Sequence, residues 1–308
     1  MKIKPITVVI PTLCNLDQLK TAIKSIYKNE KAPKILKKII VVDNSGNLTL
    51  SHLPKNKEIA IQIINNEKNL GFATGVNMGV GKSESDFSLI LNDDIVLDNK
   101  FLINMLKEAK TKPRAKVFFP LVLNASGKVI ESLGLEFNIK GKAKNIKNGQ
   151  PLSKNLPLES KEIWGAPASA LMVNTQTFNK LGGFDPDFFA YIEDVDLFLR
   201  FQEKKIKTFL VPQAICYHTG GETSKKIPYL RSYMGFRNWL FIIIKHYPAK
   251  TIIFYLPQII VERLKNFYDL ISSLQLKELP DFFKMTLKDL KLYKSMLAKR
   301  QPMSILNK

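Results

Sequence analysis

The chain has 308 residues and carries 47 Lys and Arg against 27 Asp and Glu, a formal net charge of +20 at pH 7. The basic residues are mostly Lys, a poor set for bidentate base readout, and no compact nucleic-acid motif accompanies them, which argues against a nucleic-acid partner. Cys14 and Cys216 are the only cysteines; they are far apart and lack metal-ligand spacing, which excludes a disulfide framework and points to a reducing compartment.

In chain order, Ile6-Thr7-Val8-Val9-Ile10-Pro11-Thr12 is a β-branched run stopped by proline and predicts a first strand. The run begins almost at the first residue, which predicts no signal peptide. Positions 17–29 carry Leu19, Ala22, Ile23 and Ile26 at helical spacing. Ile39-Ile40-Val41-Val42 predicts a second strand, ending in Asp43 and a turn, and positions 59–64 a third. A glycine-rich turn into a helix follows at positions 69–79, then a buried strand at 87–91. Strands apolar on both faces that alternate with helices predict an α/β fold with a parallel sheet covered by helices. Ligands in such sheets bind beyond the carboxyl ends of the strands, where Asp43 and Asn92-Asp93-Asp94 fall.

Two acidic clusters carry the chemistry. Asn92-Asp93-Asp94 closes the strand at 87–91, and Glu193-Asp194-Val195-Asp196 opens an amphipathic helix. Taken singly, an Asp after a strand is usually a turn former, and Glu-Asp at a helix start is usually a dipole cap. Together they offer oxygen ligands for a hard divalent cation and a separate carboxylate able to take a proton. Asp196 and Arg200 stand four apart and predict an ion pair along the helix. His218 follows an apolar strand at 211–217; a lone His there is most often simply hydrogen-bonded.

The ordered set Val8–Thr12, Val41–Ser45, Asn69–Asn77, Leu91–Asp94, Gly182–Asp185, Phe188–Leu197 and His218 resembles the inverting family 2 glycosyltransferases, over about residues 5 to 240. Within that family it is most similar to the rhamnosyltransferase-like branch. The resemblance implies a GT-A fold, a Rossmann-like mixed sheet flanked by helices, over residues 1–224. A donor half spans about 1–120 and an acceptor half about 121–224, followed by a basic helical extension at 225–308. It implies that Pro11, Thr12 and Asp43 line the nucleotide site and that Gly71 and Asn77 lie beside the donor, Gly71 permitting close backbone approach. It makes Asp94 and His218 ligands of Mn2+ or Mg2+ and Asp194 the catalytic base. Glu193 and Trp164 would orient on the acceptor side. Asn92 stands where the family has Asp, which leaves metal, ribose and turn all open as its contact. Asp93 shares the donor-binding cluster.

The implied donor is a nucleotide sugar, dTDP-rhamnose first, with galactofuranose, glucose, galactose or N-acetylhexosamine as rivals. The implied acceptor is a glycan or lipid-linked glycan for cell-surface polysaccharide, handled in the cytoplasm or at the inner face of the membrane. A non-catalytic sugar-nucleotide-binding or scaffold protein is the reading from another class; the presence of both Asp94 and Asp194 argues against it. Residues 139–160, rich in Lys, Asn, Gly and Pro, predict a mobile insertion, and 219–224 a polar lid or an ordinary loop.

Residues 225–308 hold 16 Lys and Arg against 5 Asp and Glu. Apolar bursts at 239–244, 252–256 and 259–261 fall short of the roughly 18–20 residues a bilayer span needs. Two uses fit them: peripheral contact with an anionic membrane surface, or packing on the catalytic domain or on a second copy in a homo-oligomer.

Overall fold

The computed structural model describes residues 6–13, 15–152, 159–220 and 228–307. Four parallel strands form its first half: β1 (Ile6–Thr12), β2 (Leu36–Asp43), β3 (Ala60–Asn65) and β4 (Phe87–Leu91), in the order β4-β1-β2-β3. Every residue of β1 and β4 is buried, as apolar runs covered on both faces require. Helix α1 (Leu16–Tyr27) buries Leu19, Ala22, Ile23 and Ile26, the stripe its spacing predicts. After a short α2 (Ala32–Ile35), α3 (Gly71–Gly81) packs so tightly on β1 that a Cβ on Gly79 would come within 2.3 Å of Val9 Cγ1.

The second half turns the sheet mixed. Beyond β5 (Ile95–Leu97) and α4 (Phe101–Thr111), β6 (Val117–Asn124) joins the same sheet through β11 (Ala170–Asn174), which runs antiparallel to both β4 and β6. The four strands read from the periodicity are the parallel ones, and the antiparallel strand beyond them makes the sheet mixed, as the resemblance implies. The short β7 (Ile130–Ser132) pairs with β6. β12 (Thr208–His218) lies parallel to β6 and antiparallel to both β5 and β10 (Lys161–Ile163).

The stretch expected to be a mobile insertion, 139–160, begins as the turn and second strand of an ordered hairpin, β8 (Leu135–Asn138) with β9 (Lys142–Asn145); its residues 153–158 lie outside the described set. Of the predicted lid, Thr219 and Gly220 are described and 221–224 lie outside. The chain continues through α5 (Thr175–Lys180) and α6 (Glu193–Glu203), and ends in α7 (Pro228–His246), α8 (Ala249–Ser273) and α9 (Leu279–Ala298). Helix α7 sends Trp239, Phe241 and Ile242 into one cluster with Phe188, Val195 and Leu199. The apolar burst at 239–244 is therefore largely turned toward protein. Among the described residues, no helix is long and apolar enough to cross a membrane.

Candidate active site

The turn after β4 is fixed by backbone bonds before its side chains act. Asn92 N donates to Ser169 O at 2.9 Å, and β5 leaves antiparallel to β12 with Ile95 opposite His218. That register sets His218 beside Asp94. Thr219 tightens the join by donating from both its amide and its hydroxyl to the Asp94 carbonyl, at 3.0 and 2.9 Å. His218 Nε2 lies 3.0 Å from Asp94 Oδ2, and His218 Nδ1 makes a short hydrogen bond to Glu131 of β7. A carboxylate can only accept, so Glu131 holds the proton on Nδ1 and aims Nε2 at Asp94. Burial opposes a charge on this imidazole, but the two carboxylates outweigh it and push the His218 pKa up to about 10. Glu131 is not visible as a site residue in the sequence: it sits in an ordinary strand, 87 residues from its partner.

The neighbouring groups converge unevenly. Thr12, at the end of β1, donates to Asp93 Oδ2 at 2.6 Å, and burial pushes the Asp93 carboxyl up to about 6. Pro11 is buried one residue earlier, its Cβ 3.5 Å from where a Cβ on Gly75 would lie. Asp43 spends its carboxylate on its own turn, accepting from Ser45 N, Ser45 Oγ, Asn47 N and Leu48 N. Those bonds outweigh burial and hold its pKa below the usual range. Gly71 has φ +83, and a Cβ there would stand 2.5 Å from the Phe189 carbonyl oxygen. The close approach at Gly71 is thus made by the protein's own chain, which lets Phe189 O accept from Ala73 N at 3.0 Å. Asn77 binds Phe184 twice, donating to its carbonyl at 2.7 Å and accepting from its amide at 2.9 Å. Trp164 is half-buried, stacked on Phe137 with ring centroids 4.8 Å apart, and its carbonyl accepts from Gln202.

Asp194 opens α6 at the end of a strained loop. Phe189, Tyr191 and Ile192 have φ of 64°, 66° and 67°, values costly for any residue with a side chain and most of all for a β-branched one. The strain is held from α7. Asn238 Nδ2 donates to the carbonyls of Phe188, Ala190 and Tyr191 at 3.0, 2.9 and 2.6 Å, and Arg237 Nη2 donates to Phe188 O at 2.8 Å. Asp194 is left partly open to solvent, with Oδ1 accepting from Val195 N at 2.7 Å. Burial pushes its carboxyl up to about 6 against the backbone bonds from Val195 and Ala168. Glu193 beside it is buried, its Oε2 without a partner, and is driven well above the carboxylate range by burial and by Asp194.

Asp196 serves the fold. Fully buried, it takes Arg200 along the helix as predicted, and also Lys245 and His246 of α7, each at 2.7 Å. The Arg200 and Lys245 charges and the hydrogen bond to His246 outweigh burial and hold it well below its usual range. Lys245 and Lys299 both bind Asp185 at 2.7 Å, which ties the far ends of the helical tail to the approach to the loop.

Asp94 and His218 suit a divalent cation. Asp94 Oδ1 is buried without a hydrogen-bond partner, as is Asn92 Oδ1, and an unpaired buried oxygen of this kind calls for an ion or a donor. A carboxylate oxygen and an imidazole nitrogen suit Mn2+ well and Mg2+ less well. Among the described residues no group of three or more His, Cys, Asp and Glu is placed to hold a metal ion by itself.

The family model for glycosyl transferase family 2 matches residues 7–170. A low-salt glycan biosynthesis hexosyltransferase of Haloferax volcanii is 26% identical over 213 residues, which cover 62% of this chain and 64% of that protein. An N-acetylglucosaminyl-diphospho-decaprenol L-rhamnosyltransferase of Mycobacterium tuberculosis is 22% identical over 211 residues, covering 62% of this chain and 69% of that one. Among solved structures, a mannosyltransferase from Pyrobaculum calidifontis in complex with GDP-Man and Mn2+ superposes with a TM-score of 0.59 at 14% identity, over 97% of this chain and 84% of that one. At that identity the likeness speaks to the fold, which is GT-A.

Proposed function

The chain belongs to glycosyl transferase family 2, and from that premise we propose that it is an inverting, metal-dependent transferase. In this reading residues 1–224 are the catalytic domain and 225–308 its helical extension. The observation that carries the reading is the array in which Glu131 orients His218 toward an Asp94 whose second oxygen is unpaired.

The chemistry then follows from this chain's residues. Asp194 takes the proton from an acceptor hydroxyl, which attacks the anomeric carbon from the face opposite the diphosphate. The new C–O bond forms as the bond to the phosphate oxygen breaks, and the diphosphate leaves with the electron pair. One carboxylate suffices, and inversion follows from the single displacement. A divalent cation held by Asp94 and His218, Mn2+ or Mg2+, would offset the charge on the departing diphosphate. Pro11, Thr12 and Asp93 border the donor, with Asp43 and Asn77 holding the turn and loop around it. Glu193 and Trp164 stand on the acceptor side.

The donor we favour is dTDP-rhamnose, and the acceptor a lipid-linked glycan presented at the cytoplasmic face of a membrane. The name of the mycobacterial relative supports a rhamnosyl donor and a lipid-linked acceptor; that of the archaeal relative supports only a hexosyl transfer. The test is a panel of nucleotide-diphosphate sugars incubated with Mn2+, with Mg2+ and with chelator. Release of nucleoside diphosphate from one donor, lost on chelation, is the expected result. No release from any donor with either metal and a prenyl-diphosphate glycan acceptor ends the reading.

A further inference from the structure

Helices α8 and α9 each carry a row of large apolar side chains on the side turned to solvent. On α8 the side turned to the protein buries Arg263, whose Nη2 donates to Gly141 O at 2.6 Å and whose guanidinium lies 5.2 Å from the centre of the Trp239 ring. The side turned to solvent carries Ile253, Phe254, Leu264 and Tyr268, which are 73%, 70%, 59% and 72% exposed. On α9, Phe283, Leu287, Leu290 and Leu297 recur at spacings that keep one face, and all are exposed. The turn between the two helices leaves Leu276 86% exposed. Isolated exposed apolar residues are ordinary; two successive helices that each present an outward apolar row mark an interaction surface.

The charge beside those rows selects the partner. Lys284, Lys288, Lys291 and Lys294 are exposed along α9, interleaved with its apolar row. Asp289 is the one carboxylate between positions 282 and 298, and it is turned inward to Tyr233 and Arg237. The outward charge of that segment is therefore entirely positive. A second copy docked on the same face would set lysines against lysines, whereas a surface that is apolar in depth and anionic at its rim satisfies both features.

We propose that the outer faces of α8 and α9 dock on an anionic lipid bilayer, with both helices lying in the plane of its interface. The inference shares with the transfer reading only the lipid-linked acceptor, and it does not depend on the chemistry of the site. The test is flotation of the full chain with vesicles of phosphatidylcholine, with and without phosphatidylglycerol. The expected result is association with the anionic vesicles alone, weakening as salt rises toward about 0.5 M. Replacing Lys284, Lys288, Lys291 and Lys294 together by Glu should lower that association at least about tenfold, and Phe254→Ser with Leu264→Ser should lower it as well. All six side chains are exposed, so circular dichroism and metal-dependent nucleotide binding should be unchanged in both variants; loss of nucleotide binding by the unaltered chain would instead count against the transfer reading. Absence of flotation at low salt overturns the proposal. So does a concentration-dependent dimer, seen by sedimentation, that Leu264→Asp and Leu287→Asp dissociate.

Discussion

Asp194 combines partial exposure with a carboxyl pushed up to about 6, next to a buried Glu193 driven higher still. The sign for a base is fixed: it is protonated and idle below its pKa, so transfer should rise with pH through about 6 and level off above. Asp194→Asn keeps the shape and should lower transfer by at least ~10²-fold at pH 8, with donor affinity unchanged. Near-normal transfer in that variant removes Asp194 from the role. Glu131 acts through His218, so Glu131→Ala should weaken Mn2+ binding by roughly 10- to 100-fold, with Glu131→Gln, which still offers an acceptor to Nδ1–H, recovering part of it. Calorimetry with Mn2+ and nucleoside diphosphate reads this without turnover, and an unchanged affinity in Glu131→Ala rejects the assignment. At this scale the sequence was informative about position, setting Asp94 just past a buried strand and Asp194 in the first turn of a helix. It was silent on Glu131, because what matters there is the pairing of β6 with β7 and β12, which no local pattern records. For Gly71 the pattern revealed a close approach but not what approaches.

The three carbonyls bound by Asn238 make α7 a support of the loop that leads into Asp194. Removing the Asn238 side chain takes this donor from the Ala190 and Tyr191 oxygens, while Phe188 O keeps Arg237 and Ala190 N; the loss costs about 1–3 kcal/mol and frees a loop with three left-handed side-chain-bearing residues to relax. Asn238→Ala should therefore lower the thermal midpoint and, where the protein is still folded, reduce kcat at least about tenfold through misplacement of Asp194, while donor affinity holds. If kcat is unchanged at a temperature where the variant is fully folded, the loop does not position the base. Periodicity placed α1, α3 and the first four strands because each buries a simple stripe or an unbroken apolar run. It misjudged the hairpin at β8–β9, whose Lys and Asn read as a mobile insertion. That hairpin gains its order from outside itself, through Arg263 on Gly141 and Lys142 paired with Glu262 at 3.2 Å.

Over the whole molecule, the sheet's carboxyl edge and the helical tail meet at one loop, and the tail faces two ways. Its inner side seals Phe188, Val195 and Leu199, and neutralises Asp185 with Lys245 and Lys299 and Asp196 with Lys245. A chain cut at residue 220 loses these cations while keeping buried carboxylates, a costly exchange. It should aggregate or melt well below the full chain in calorimetry; a fragment as stable as the whole would show the tail to be an appendage. The left-handed turn at Phe189–Ile192 also has a consequence in time. Ribosomes deliver the chain from the N-terminus, and the sheet, the metal-side residues and Asp194 all emerge before Arg237 and Asn238. Until those two side chains clear the exit tunnel, no bond from α7 holds the turn that aims the carboxylate. A nascent or prematurely terminated chain can thus own every one of these motifs while the turn before Asp194 is still unheld: translation has to run past Asn238, and then by the length of the tunnel, before that turn is fixed.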